Sequence, residues 1–408
     1  MLMQKVVKNI PELRFLEFDE DWEIRKLRDI SKIKRGRFSP RPRNDPAYYG
    51  GDIPFVQTND VVKSNGLIIH YSQTLNEKGL AVSKLFPKGT ILITIAANIG
   101  YTGILQLDMA CPDSLIGIKC KKDISDNNYV HIYLSTQQRR MDYLAPEGAQ
   151  KNINIDFLEP YPVPLPSFPE QQKIASFLTA VDKKIEQLTR KKELLEQYKK
   201  GVMQKIFSQE IRFKDDNGQD YPNWEEKRLG DIGYFEGGGT PSTQKNDFWN
   251  GETPWISSSD LYDDSIYRIN TKRFISKDAI KNSATKVIPP NSILIVTRVG
   301  VGKVAISDCE LCTSQDFTNV IHSQKDGLFL AYFIKKEISR LLCFNQGTSI
   351  KGIVKKDLKQ MVIRMPVDEE QTKIARLVSS IDTKISTIQS QLTQTQNFKK
   401  GLLQKMFV

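Results

Sequence analysis

Cations and amide or hydroxyl side chains, rather than catalytic groups, are what this sequence gathers into clusters. Between Ile30 and Asn44 stand Lys32, Lys34, Arg35, Arg37, Arg41 and Arg43, with no acidic residue among them. Charges at this density, interleaved with Ser39 and with prolines that hold an extended path, suit a loop that tracks a phosphate backbone. A solvated basic loop without a partner would have the same composition. In the second half of the chain the equivalent place is taken by Gly237-Gly238-Gly239-Thr240-Pro241-Ser242, followed by Lys245. Its backbone can approach a ligand closely, but its chemistry differs.

Two more polar clusters recur in pairs. Gln57-Thr58-Asn59 stands where the second half has Ser257-Ser258-Ser259, and Gly148-Ala149-Gln150-Lys151-Asn152 where it has Gly347-Thr348-Ser349-Ile350-Lys351. Arg298 and Lys303, beside Gly300 and Gly302, complete the candidate set. Gln and Asn pair bidentately with adenine, Arg and Lys with guanine, and Ser or Thr with several bases. Different polar sets in equivalent loops would therefore read different base sequences. Ordinary turn chemistry accounts equally well for any one of them taken singly.

Catalytic constellations are not found. His70, His131 and His322 are far apart and form no triad or ligand spacing. Cys309-Glu310-Leu311-Cys312 is a lone CxxC with no second cysteine pair or HxxxH to complete a zinc site. Gly300-Val301-Gly302-Lys303 lacks both the earlier glycine of a phosphate loop, replaced by Thr297, and its trailing hydroxyl, replaced by Val304. Pro112-Asp113 with Lys119 offers one carboxylate where a metal nuclease needs more, Gly117 standing where the second acid belongs.

The elements that must carry these clusters occur twice. Residues 151–208 lie on residues 351–408 with a constant shift of 200 and no gap. Glu170-Gln171 falls on Glu370-Gln371, Lys173-Ile174-Ala175 on Lys373-Ile374-Ala375, Asp182 on Asp382, and Lys199-Lys200-Gly201 on Lys399-Lys400-Gly401. Upstream the match is weaker: Leu13-Arg14-Phe15 resembles Ile211-Arg212-Phe213, and Asp21-Trp22-Glu23 resembles Asn223-Trp224-Glu225. A gapless match over mostly polar residues indicates duplication.

The best-matched part predicts a long helix from about Pro169 to Phe207. Pro169 suits a first turn and Glu170 the positive end of the helix dipole. Apolar residues return every seven positions at Ile174, Val181, Leu188, Leu195 and Val202, and in the second copy at Ile374, Ile381, Ile388 and Leu402. A strict seven-residue period asks for a partner helix in a left-handed supercoil, and the obvious partner of each copy is the other. The alternative, that each helix caps its own domain, fits poorly with a rod on the order of 55 Å. Gly89 to Ile95 and Asn291 to Val296, rich in β-branched residues after proline-containing turns, predict buried strands in mixed α/β domains.

The order variable domain, long helix, variable domain, similar helix resembles the specificity subunit of type I restriction-modification systems. The resemblance is carried by Trp22-Glu23 with Leu27 and Asp29-Ile30, by Gly251 to Leu261, by Leu165-Pro166 leading to Glu170-Gln171 and Lys173-Ile174-Ala175, and by the Gln-Lys-hydrophobic-Phe helix end. The second junction departs slightly, with Met365-Pro366-Val367-Asp368 before Glu369. The resemblance implies two globular α/β target recognition domains in a pseudo-two-fold arrangement, separated by two long helices packed as an antiparallel coiled coil. It places recognition domains at 1–166, the first 20 or so residues being an extension, and at 223–366. Helical spacers would run over 167–208 and 367–408, with a linker at 209–222. It further implies double-stranded DNA as partner, two docked methyltransferase subunits using S-adenosylmethionine, and restriction or motor subunits using ATP and magnesium, with no cofactor in this chain.

Composition agrees with a polyanionic partner. The 408 residues carry a net charge of +11 and a pI near 9.2. No apolar run approaches the roughly 20 residues of a membrane span, no signal-peptide core is seen, and five scattered cysteines fit a reducing compartment, so a cytoplasmic location is expected. A protein-binding coiled-coil adaptor is the competing class, and it would show no steep salt dependence on DNA. If the two halves read independently, exchanging residues 223–366 for another such domain changes one half of the recognised motif and leaves the other intact. Methylation mapping that found both halves changed would refute independent readout.

Overall fold

Ile91–Thr94 and Ile293–Val296, four β-branched or aliphatic residues each, are wholly buried strands at the centres of two sheets. The computed structural model describes residues 10–146, 151–322, 327–344 and 352–407. It divides into two units, residues 1–189 with 390–408 and residues 190–389. Both are mixed α/β, and their sheets have the same order.

In the first unit Ser31–Arg35, Leu115–Cys120, Ile91–Thr94 and Thr102–Leu105 lie side by side, with Leu67–Ile68 added as a fifth strand. The second unit repeats this with Gly233–Gly237, Phe317–His322, Ile293–Val296 and Val304–Ile306, without the fifth strand. A second sheet runs Gln73–Leu75, Tyr49–Phe55, Met109–Cys111, Lys84–Phe86, and its counterpart Arg273–Ile275, Thr253–Ile256, Leu311–Thr313, Val287–Ile288. The different polar clusters of the two halves are therefore carried on one retained frame.

The long helices span Phe168–Phe207 and Asp368–Met406, 40 and 39 residues, or about 60 Å each at 1.5 Å per residue. Each begins in one unit and ends in the other. Within the first unit Phe407 packs on Tyr129 and Tyr133, Tyr129 on Trp22, and Trp22 on Glu170 at the start of the first helix. Further along that helix Asp182 pairs with Lys399. The two helix segments therefore run antiparallel. The second unit mirrors this: Phe207 packs on Phe329 and Phe333, Phe329 on Trp224, Trp224 bonds Glu370, and Lys199 pairs with Asp382.

Of the heptad residues, Ile174, Val181, Leu188, Ile374, Ile381, Ile388 and Leu402 are buried, while Leu195 and Val202 are half-buried. Leu178 and Val378, at intervening apolar positions, join the stripe and are fully buried.

Glu170 and Glu370, three residues into their helices, are completely buried. Arg14 reaches Glu170 with Nε and Nη2 at 2.7 and 2.8 Å, and Trp22 adds its indole N–H at 3.3 Å. Arg212 and Trp224 do the same to Glu370, at 3.2, 2.7 and 3.0 Å. The neighbouring Gln171 and Gln371 donate to the carbonyls of Pro166 and Pro366, fixing the strand-to-helix corner. The carboxylates hold Arg14 and Arg212 above the usual guanidinium range, chiefly by hydrogen bonding. Removing Arg14 or Arg212 leaves a buried carboxylate without its countercharge, so Arg14→Ala and Arg212→Ala are each expected to cost about 3 kcal/mol. Thermal unfolding checks this, and an unchanged midpoint in both variants would contradict it.

Candidate nucleic-acid interface

The basic run is divided between a strand and a turn. Lys32 to Arg35 belong to the edge strand Ser31–Arg35, paired with Ile116 to Cys120, because Ser31 and Ile33 alternate inward while Lys32, Lys34 and Arg35 stay exposed. This differs from the extended loop expected of the whole run, since the density of charge hides the inward alternation. Only from Gly36 onward does the chain leave the sheet.

Most of the guanidinium groups hold the protein's own backbone. Arg35 donates to the Asp113 carbonyl, Arg37 to Ala81 and Ser83, and Arg41 to Phe38, Ser39 and Pro40. Arg43 pairs with the Asp113 carboxylate at 2.8 Å. Lys34 is exposed and has no ion pair among the described residues. Lys84, on the strand Lys84–Phe86, joins it: burial, then Lys34 and Arg37, lower the Lys84 ammonium below the ordinary lysine range. Lys84 is not legible as a site residue in the sequence because sheet pairing, not sequence proximity, brings it beside the run.

Gln57 is the N-cap of the helix Thr58–Lys63, in a capping box with Asp60. Thr58 bonds the Ser114 hydroxyl at 3.3 Å, while Asn59 is exposed. Ser257 repeats the cap with Asp260 and also bonds the Ser259 hydroxyl, and Arg273 binds both Ser257 and Asp260. The first residue of each cluster is thus a helix cap, and Asn59 and Ser259 are the exposed members.

Backbone pairing brings further loops to these clusters. Ile95 N–H donates to Ser114 and Ile153 N–H to Ile95, and Asn152 bridges to Ala96, so Asn152 lies beside the turn that exposes Asn98. Ala97 there has φ 63°, a left-handed conformation that costs a non-glycine residue on the order of 1 kcal/mol. Lys151 is half-buried and pairs with Asp142 at 3.6 Å. In the second unit Thr297 N–H donates to Asp316, Ser314 N–H to Ile256, and Ile353 N–H to Thr297. Arg298 is exposed on the equivalent turn, next to Val299, which is 71% exposed. Lys303 is engaged internally, donating to the Ser258 and Leu261 carbonyls at 3.1 and 3.0 Å. Gln150, Thr348, Ser349 and Lys351 lie outside the described residues.

Two glycines of the glycine-rich segment pack against protein. A Cβ on Gly238 would sit 2.0 Å from the Ser314 carbonyl oxygen, and one on Gly239 2.4 Å from the Ala284 backbone. Gly238 and Gly239 therefore serve close backbone contact within the fold, while Gly237 faces open space. Beyond them Thr240 donates to Gln315, Ser242 is exposed and its carbonyl accepts from Trp249, and Lys245 lies 4.8 Å from the Phe248 ring. Gly239 N–H bonds Thr313 as Arg37 N–H bonds Cys111, so the two loops do occupy equivalent places.

Each unit thus presents exposed amide, hydroxyl or guanidinium groups on loops held by capping boxes and cross-loop bonds. Such a surface can bind and read a polar ligand without changing it. Among the described residues no group of three or more His, Cys, Asp or Glu side chains could hold a metal. Cys312 is buried against Trp255 and Phe248, whereas Cys309 is exposed.

A family model described as the type I restriction modification DNA specificity domain matches the chain twice, over residues 19–197 and 221–396. A putative type I restriction enzyme MjaX specificity subunit from Methanocaldococcus jannaschii is 26% identical, covering 97% of this chain and 95% of that one. The EcoR124I/EcoR124II specificity subunit from Escherichia coli is 30% identical, covering 64% of each. In fold, the chain is similar to the crystal structure of a type I restriction-modification S subunit from M. genitalium, with a TM-score of 0.64 at 17% identity, covering 98% of this chain and 99% of that one.

Proposed function

Because this chain belongs to the type I restriction modification DNA specificity family, we propose that each unit reads one part of a bipartite double-stranded DNA site while the long helices set the separation of the parts. As a specificity subunit it supplies sequence recognition and no catalytic step. The observation that carries the reading is the duplication. Two units with one sheet order carry different exposed polar residues at equivalent loops, Asn59 against Ser259 and Asn98 against the Arg298 turn.

In this reading residues 1–166 and 223–366 are the recognition domains, 209–222 the linker, and 167–208 and 367–408 the spacers. Lys34 and Lys84 supply phosphate contact, and Asn59, Asn98, Asn152, Ser259 and Arg298 face base edges, where amides and guanidinium groups discriminate adenine and guanine. Arg35, Arg37, Arg41, Gln57, Ser257 and Lys303 shape the loops. The helices also dock two methyltransferase subunits, which hold S-adenosylmethionine, and motor or restriction subunits bring ATP and magnesium. The complex works in the cytoplasm, and among the described residues no helix is long and apolar enough to cross a membrane.

Methylation mapping after expression with the modification subunit tests the reading. It should return a split motif with a fixed unread interval, and a continuous motif would contradict it. Deleting one heptad from each helix removes about 10 Å, or roughly three base pairs of rise, and should abolish or re-space recognition. Unchanged methylation of the native spacing would refute the helical ruler. Lys34→Ala and Lys84→Ala should each weaken binding of the complex to target and random DNA alike and reduce the salt slope by about 1. A salt titration in which either variant relaxed sequence preference without changing the slope would reassign that lysine to base readout.

A further inference from the structure

A chain of side-chain hydrogen bonds leaves the helices of the second unit and ends on the loop that braces Ser257 to Asp260. Asp382 on the second long helix accepts from Lys199 through Oδ1 and from the Tyr332 hydroxyl, at 2.6 Å, through Oδ2. Tyr332 is 1% exposed and lies in the helix Leu328–Phe344. With its proton directed to Asp382, its oxygen accepts from the Tyr267 hydroxyl at 2.9 Å. Lys199 lies 5.3 Å from the Tyr332 ring centre, and burial together with the Asp382 bond raises the Tyr332 phenol far above the ordinary range. The phenol stays protonated and keeps its role as donor.

Tyr267 sits where the readout loop is anchored. Its neighbour Ile266 accepts from the Ile306 N–H, Ile269 bridges to Leu261, and Asn270 N–H donates to the Asp260 carbonyl. Asp260 in turn caps Ser257 and holds Arg273. The first unit anchors the equivalent loop differently. Leu67–Ile68 forms a strand on Ile104 and Leu105, held by the Ile104 N–H to Gly66 and Gln106 N–H to Ile68 bonds, whereas the second unit forms no strand there among the described residues and shows the first of these bonds alone, from Ile306 to Ile266. The place of Tyr332 is taken by Ile132 and that of Tyr267 by Leu67, so no phenols are available there.

We propose that Tyr332 and Tyr267 are positioning residues for base readout by the second unit: the phenol relay to Asp382 replaces the missing strand and fixes the Ser257–Asp260 segment relative to the helices. The inference rests on the DNA-specificity reading. Neither phenol needs to touch DNA, and the relay acts only on the half of the motif read by the second unit.

The test uses the complex with its methyltransferase subunits and duplexes carrying the motif returned by methylation mapping, with single-base changes in either half. Tyr332→Phe removes both hydrogen bonds and keeps the ring. It should lower discrimination against mismatches in the half read by the second unit by about tenfold, as expected for bonds to a charged acceptor, and leave the other half unchanged. Tyr267→Phe, at a partly exposed position, keeps the Tyr332 to Asp382 bond and should give a smaller effect of the same kind. Should Tyr332→Phe fail to fold, Tyr267→Phe carries the test alone. Unaltered discrimination, or an equal loss at both halves, would overturn the relay while leaving the DNA-specificity reading intact. A wild-type complex that does not prefer its mapped motif over a scrambled duplex would overturn that reading and the relay with it.

Discussion

A buried carboxylate at the start of each long helix is the constraint from which the rest of the architecture follows. Glu170 and Glu370 are wholly buried, so each charge must be matched within the protein. An arginine fork, an indole N–H and the helix N-terminus do this together. The donors come from segments that precede each helix by a long stretch of chain. Meeting at one carboxylate, they bind the start of each α/β fold to the start of the helix that follows it.

The same arm also closes the other helix end. Leu13 N–H donates to the Lys405 carbonyl, and Ile211 N–H to that of Lys205. Residues near the N-terminus thus stand to the end of the second helix as residues 209–213 stand to the end of the first. This explains why the short upstream matches around Arg14 and Trp22 accompany the gapless helical match. They are the other side of the same contacts. Reciprocal pairs Asp182 with Lys399 and Lys199 with Asp382 follow the same rule: residues identical under the 200-residue shift become partners once the helices run antiparallel.

Structure is legible in the sequence where one residue type is tied to one contact. The helices, their heptad stripe and the central strands can be read because burial of a periodic apolar face leaves a period in the sequence. The polar loops are legible only as places. Gln57, Ser257 and Lys303 look like ligand-binding groups but hold caps and carbonyls within the fold, because polar side chains in loops satisfy backbone groups as readily as they meet a partner. Lys84 is the opposite case: nothing in its local sequence marks it, and sheet pairing brings its charge to the basic edge.

The duplicated plan is written in the residues alone: two α/β frames, two long helices with a seven-residue stripe, and a polar set that differs between equivalent loops. These features are periodic or repeated, so they can be recognised before any contact is known. Folding, in contrast, selects which polar groups remain exposed, which of them are occupied internally, and how each loop is braced, by a strand in one unit and by phenols in the other. Those outcomes depend on hydrogen-bond partners far apart in the chain, and no local pattern encodes them.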